Sequence, residues 1–241
     1  MRNIETIYIA IGGSGSRLNC EIKGISSKAF LKVGNKTLLK IIMDQVNKIE
    51  DNPTINIVVK NSIQEAECNH ELSGYKYKLI YNPYDDIFDI FRNIDSFGNT
   101  MVIYGDSFFE RETDIYYMVK EFKKRDGSLY MLLNTEDGID NVTFKFNNDN
   151  KFIKVSEGKQ ILEASQVFIF SKEDCYIIKN NINNKSKYEI IYKTLLEKNN
   201  IYAYFGSCIN INTEKDWQYV NKILKNKKWR QIVYDKLDSN E

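Results

Sequence analysis

"YIAIGGSGSRL", residues 8–18, is an apolar run that breaks into three glycines, two serines and an arginine. The run itself reads as a buried strand. A loop so bare lets backbone amides come close to an anion, because no Cβ stands in the way, and Ser14 and Ser16 add hydroxyl donors while Arg17 adds a fixed charge. In an open α/β sheet ligands gather beyond the carboxyl ends of the strands. The loop is therefore a phosphate cradle if the rest of the chain supplies a parallel sheet, and otherwise a tight turn between a strand and a helix.

The rest of the chain supplies one. "INIVVK", "YKLIYN", "TMVIYG", "SLYMLL" and "SQVFIF" join "TIYIAI" as strand candidates, with the helical patterns "KTLLKIIMDQVNKI" and "TDIYYMVKEFKKR" between them. Alternation of this kind predicts a mostly parallel sheet with helices on both faces. "NVTFKFNNDNKFIKVSEGK" holds two short alternating strands around "NNDN" and predicts a hairpin outside that pattern. "KNNINNKSK" reads as a surface loop, and "TEKDWQYVNKILKNKKWRQIVYDKL" as closing helices with a basic, solvated outer face. Only Pro53 and Pro83 occur, and no Ser/Gly-rich linker divides the chain. One domain over residues 1–241 is expected, with 1–110 as a nucleotide-binding half and 111–241 as an acceptor-binding half.

Composition narrows the partners. The 241 residues are 42% hydrophobic and 13% aromatic, and 34 Lys and Arg against 33 Asp and Glu leave a net charge of +1. No basic field points to nucleic acid or to an anionic membrane. No apolar stretch approaches the roughly 18 to 20 residues of a membrane span, and the start lacks a signal-peptide pattern, so a cytoplasmic location is expected. Cys20, Cys68, Cys175 and Cys208 form no metal or disulfide pattern. A single histidine, His70, rules out a His-based metal cluster and reads as a solvated residue in a polar loop.

Three phosphate motifs compete for the loop. "GGSGSRLNCEIKG" has no Lys followed by Ser or Thr, as a Walker loop needs, and Leu18 stands where a dinucleotide fingerprint needs its third glycine. What fits is "GGSGSRL" followed by "SKAFLKVGNKTLLKII". The pair resembles the opening signature of the nucleotidyltransferases that activate sugar phosphates and phospho-alcohols. Gly12, Gly13, Gly15, Arg17 and Leu18 match it, as do Lys28, Val33, Lys36 and Leu38; Ser16 replaces the usual threonine, and Ser27 and Thr37 replace the customary prolines.

Later segments resemble the same family in the same order. "MVIYGDSFF" looks like the strand that ends in a Gly-Asp pair, and "CININTEKDW" like the closing motif shared with the molybdenum-cofactor guanylyltransferase branch. "TFKFNNDNKFIKVSEGK" resembles the acceptor-side region. The resemblance implies a Rossmann-like, mixed sheet of about seven strands and a Mg²⁺-dependent transfer of a nucleotidyl group from an NTP to a phosphorylated acceptor, with release of pyrophosphate.

It also assigns residues. The amides of Gly12, Gly13, Ser14, Gly15 and Ser16 hold the triphosphate, Arg17 neutralises the departing phosphates, and Lys28 bridges the α-phosphate and the attacking phosphate. Asp106 is the first Mg²⁺ ligand and Asn210 the second, with Asn212 as its substitute. Thr213 caps the last helix with Asp216. "YNPYDDIFDIFRNI" is similar to the phosphocholine cytidylyltransferase branch, which favours CTP and makes Asn82 a nucleotide contact. Asp85, Asp89, Glu157 and Lys159 are the acceptor-side candidates; alternatively Tyr81, Phe88 and Phe91 are core and the acids a solvated face. A homodimer is compatible with the family. The rival class is a nucleotide-binding module without catalysis. A glycosyltransferase on the same fold would show a DxD motif, and "YGDSFF" carries one acid.

Overall fold

The computed structural model describes residues 2–12, 25–83, 87–94, 97–134, 142–157, 162–183, 190, 194–195 and 201–238. In chain order β1 (Thr6–Ala10) is followed by a 3-10 turn (Lys28–Phe30), a hairpin of β2 (Lys32–Val33) and β3 (Lys36–Thr37), and α1 (Leu38–Val46). Then come β4 (Thr54–Val59), α2 (Ser62–Glu71), β5 (Lys78–Tyr81), a 3-10 helix (Ile87–Asn93), β6 (Thr100–Tyr104), β7 (Ser107–Phe109) and α3 (Asp114–Lys124). The chain continues with β8 (Ser128–Asn134), β9 (Val142–Phe146), β10 (Phe152–Glu157), β11 (Leu162–Phe170), α4 (Lys172–Asn181), β12 (Ile201–Phe205), β13 (Cys208–Asn210) and α5 (Glu214–Asp238).

A seven-stranded sheet runs in the order β12-β8-β11-β6-β1-β4-β5. β1 pairs in parallel with β4 and β6, β4 with β5, and β8 with β12, while β11 is antiparallel to both β6 and β8. The fold is thus a Rossmann-like α/β sheet with one reversed strand, and it draws strands from both halves of the chain. β9 and β10 form the expected antiparallel hairpin beside it. Among the described residues no helix is long and apolar enough to cross a membrane.

The sheet is central because its strands are apolar on both faces. Ile7, Ile9, Ile57, Met101 and Ile103 face one core with α1 and α3, through Leu39, Ile42, Met118 and Phe122. Tyr8, Val58, Val102 and Phe168 face another, under the 3-10 helix and α4. There Phe88 packs against Phe168 and Phe170 at centroid distances of 5.8 and 5.7 Å, in edge-to-face geometry suited to aromatic quadrupoles. Phe88 and Phe91 are core, as the plainer reading of this stretch had it, but Tyr81 is not: it is 54% exposed and its hydroxyl donates to Glu65. His70 lies in α2 rather than in a loop, because Asn61 caps that helix and carries it through the polar "AECNHE" stretch.

One close approach sets the position of the site. A Cβ built on Gly105 would stand 2.9 Å from the Ala10 carbonyl oxygen and 2.9 Å from Ala29 Cβ, and the Gly105 N–H donates to Ala10 O at 2.7 Å. Only glycine lets the turn after β6 lie against both the end of β1 and the Lys28 turn.

Candidate active site

Parallel pairing brings the carboxyl ends of β1, β4 and β6 side by side, since Ala10 is in register with both Val58 and Tyr104. Gly12, Lys60 and Asp106 leave the sheet together at that edge. The lysine turn comes to meet them. Ser27 caps it, its Oγ accepting from Ala29 N at 3.2 Å, and leaves Lys28 as the first residue of the turn, 8% exposed.

Lys28 Nζ donates to Asp106 Oδ2 at 2.6 Å, to the Ile211 carbonyl at 2.9 Å and to Asn212 Oδ1 at 3.2 Å. An ammonium has three protons, and all three are used. Ile211 closes the junction from the other side, with its N–H donating to Asp106 O at 2.9 Å. Its side chain is fully buried with Leu31, Val33, Leu38, Phe108 and Val220, a small cluster that ties the β2–β3 hairpin, β7 and α5 together directly behind the lysine. A buried ion pair costs desolvation that good geometry and further hydrogen bonds must offset, and here both are present.

Asp106 has a second oxygen. Oδ1 is buried and has no hydrogen-bond partner. An orphaned carboxylate oxygen beside a lysine suits a hard cation that keeps water and phosphate oxygens as its other ligands, the usual arrangement for Mg²⁺. Among the described residues no group of three or more His, Cys, Asp or Glu could hold a metal by itself. The donor set therefore fits a cation shared with a phosphorylated ligand.

Of the two asparagines proposed from the sequence, Asn212 touches Lys28. Asn210 pairs with Ser107 across β7 and β13, and its amide oxygen accepts from Cys208 Sγ at 3.9 Å. Asn212 is held in place by the helix cap: Asp216 Oδ2 accepts from the N–H groups of Asn212 and Thr213 at 2.9 and 2.7 Å, and Asp216 N donates to Thr213 Oγ1 at 3.3 Å. The cap expected from "TEKD" thus also orients the residue before it.

Asn82 is buried at the end of β5, with its N–H donating to Val59 O at 2.9 Å. Asp89 is engaged within its own helix by Arg92 Nε at 2.8 Å, and Arg92 also bonds the Ile182 carbonyl. Glu157 ends β10 opposite Val142. Gly13, Ser14, Gly15, Ser16, Arg17, Asp85 and Lys159 lie outside the described residues. Cys68, Cys175 and Cys208 are buried and form no disulfide among the described residues, and burial pushes the Cys68 and Cys175 thiols up to about 12, away from the thiolate form.

Two contributors were missed from the sequence. The Ile211 carbonyl acts through backbone, which leaves no mark on residue type. Lys60 lies across Gly12, where a Cβ would stand 2.9 Å from Lys60 Cε. Its signal was present: a lysine directly after "INIVV" must emerge at the carboxyl edge if that strand is parallel.

The fold and this edge together define a class of architecture: a mixed Rossmann-like sheet with a lysine-carboxylate pair at its carboxyl side. The chain is similar in structure to CTP:phosphocholine cytidylyltransferase from Streptococcus pneumoniae, at 17% identity and a TM-score of 0.72, over 92% of this chain and 99% of that one. It is likewise similar to the inositol-1-phosphate CTP transferase from T. maritima, at 16% identity and a TM-score of 0.68, over 91% and 96% of the two chains. Apo UDP-glucose pyrophosphorylase matches at 13% identity and a TM-score of 0.71, over 93% and 99%. No family model matches the sequence, and no curated protein does. At these identities the likeness establishes the fold.

Proposed function

We propose that the protein is a nucleotidyltransferase that joins the nucleotidyl group of an NTP to a small phosphorylated acceptor, a sugar phosphate or a phospho-alcohol, and releases pyrophosphate. The observation that carries this is the buried Lys28–Asp106 pair at the carboxyl edge, with one carboxylate oxygen left unpartnered. The likeness to three enzymes of that chemistry supports it.

The chemistry asks little of proton transfer. The acceptor phosphate is already an anion, so catalysis is alignment and charge neutralisation. Lys28 stands between the two phosphates, and its longest hydrogen bond, 3.2 Å to Asn212, is the one a phosphate oxygen replaces most easily. Asp106 Oδ1, with Asn212 beside it, would hold Mg²⁺, which supplies charge neutralisation on the phosphates. Gly12 to Ser16 and Arg17 bind and neutralise the triphosphate, and Lys60 adds a cation next to Gly12. CTP is the favoured nucleotide, supported by Asn82 at the end of β5 and by the two cytidylyltransferase likenesses. On the acceptor side Asp85, Glu157 and Lys159 remain the candidates, and Asp89 joins them only by leaving Arg92.

Thermal unfolding with Mg²⁺ and each of CTP, UTP, GTP, ATP and dTTP tests the reading. A nucleotide near 100 times its dissociation constant stabilises by about 2.7 kcal/mol, a rise of roughly 5–10 °C in a chain of this size. The expected result is a rise with CTP that is reduced in Lys28→Ala, followed by pyrophosphate release when phosphorylated acceptors are screened. No rise with any nucleotide, and no pyrophosphate from any nucleotide and acceptor pair, would overturn it.

A further inference from the structure

α2 carries two side chains that meet the chain just ahead of Lys28. Gln64, 2% exposed, accepts from Lys60 N through Oε1 at 2.8 Å and donates through Nε2 to the Ser26 carbonyl at 3.3 Å. Glu67, one turn further on, accepts from Ser26 N through both carboxylate oxygens at 3.3 Å, and from the Ser26 hydroxyl. Asn61 Oδ1 caps the helix by accepting from Gln64 N at 3.0 Å, which fixes the glutamine at its root.

Every polar group of Ser26 is therefore held by this helix. Two residues later Lys28 begins the turn that delivers its ammonium to Asp106, and Ser27 between them is the cap of that turn. The same glutamine grips the backbone of Lys60, whose side chain lies on Gly12. One helix thus holds both the segment that follows the glycine-rich stretch and the lysine whose side chain lies against Gly12.

We propose that Glu67, together with Gln64, is a positioning residue: it fixes Ser26 so that the following turn presents Lys28 to Asp106 in one geometry. Its effect on catalysis rests on the nucleotidyltransferase reading, while its effect on Lys28 does not. Catalytic groups displaced by about 1 Å lose on the order of 10²-fold in rate, so a loosened turn is costly even where the lysine itself is intact.

Reductive methylation with formaldehyde and cyanoborohydride, followed by peptide mass spectrometry, reads the lysine directly. Lys123, bonded to Asp51, is the internal control. In Glu67→Ala, Lys28 should react several-fold faster and Lys123 at its original rate; Glu67→Gln, which keeps an acceptor for the Ser26 hydroxyl, should restore most of the protection. With a productive substrate pair, Glu67→Ala should lower kcat by about 10-fold in the wild-type background and leave it unchanged in Lys28→Ala. Unchanged Lys28 protection in both Glu67→Ala and Ser26→Ala would overturn the proposal, and so would equal deprotection of Lys28 and Lys123, which reports general loosening. No thermal rise with any nucleotide and no pyrophosphate from any nucleotide and acceptor pair would instead overturn the functional reading, and the methylation rates would still decide the positioning role.

Discussion

Lys28 and Asp106, 78 positions apart in the chain, meet in a 2.6 Å ion pair with side chains only 10% and 15% exposed. The pair joins the segment after the first strand to the turn after β6, and Ile211, just ahead of α5, bonds both, its carbonyl accepting from Lys28 Nζ and its N–H donating to Asp106 O. Replacing Lys28 by Ala should lower turnover by about 10²–10³-fold, the usual loss for one charge-stabilising donor. Lys28→Arg should fare little better, because a planar guanidinium cannot point three protons at three acceptors set around one nitrogen. Steady-state kinetics of both variants, with thermal unfolding to establish folding, checks this.

Asn212 and Asn210 are separable by the same assay. Asn212→Ala removes a hydrogen bond to a charged group and an oxygen next to Asp106, and should lower turnover by about 10-fold. Asn210→Ala should stay within about threefold of wild type on the same scale, since its amide faces Cys208 rather than the lysine. Asn212→Asp adds a charge where only a dipole stood and should lower the Mg²⁺ concentration needed for half-maximal activity.

Gly105→Ala should be the most damaging single methyl in this region. The added carbon meets a backbone oxygen and two side chains at 2.9–3.0 Å, and the backbone cannot yield as a flexible side chain can. Overpacking of this kind costs about 1–3 kcal/mol, or roughly 2–4 °C per kcal/mol in melting temperature for this length. Gly12→Ala, which meets only the stem of Lys60, should melt within a degree or two of wild type.

Asp174 should give stability a pH dependence away from the site. It is fully buried, Ser128 Oγ donates to its Oδ2, and its Oδ1 has no partner. Burial raises its pKa above the ordinary 3.8, against hydrogen bonds from Ser128 and Ser171 that lower it. An acid whose folded pKa is raised binds more protons folded than unfolded, so its contribution to stability is greatest below the unfolded value. That contribution is lost as pH rises through the folded value. Urea unfolding across this range should show the decline in wild type and a flatter profile in Asp174→Asn.

The meeting of Lys28 with the turn after β6 was legible because the residue types are unusual for their places. A glycine-rich loop after an apolar run, a carboxylate after a strand and glycine, and "TEKD" ahead of a helix each have a local physical cause that a sequence displays. The choice between Asn210 and Asn212 did not, since the two differ only in which way the chain turns after β13. Tyr81 shows the same limit: an aromatic at the end of a strand is core or surface according to what packs on it, and here the ring stays half exposed with its hydroxyl on Glu65.

The alternation of apolar runs with amphipathic helices determined by itself that the chain forms an α/β sheet, because strand and helix periodicities are properties of neighbouring residues. The sequence also determined that the segments after β1, β4 and β6 leave from one edge, since parallel strands put their outgoing loops there. Only the tertiary structure decided that β11 runs against its neighbours, that the Ile211 carbonyl completes the Lys28 cage, and that Glu67 and Gln64 of α2 hold Ser26. Each of these depends on contacts between segments far apart in the chain, and a backbone oxygen or a surface glutamate carries no signal of its partner until the sheet has brought them together.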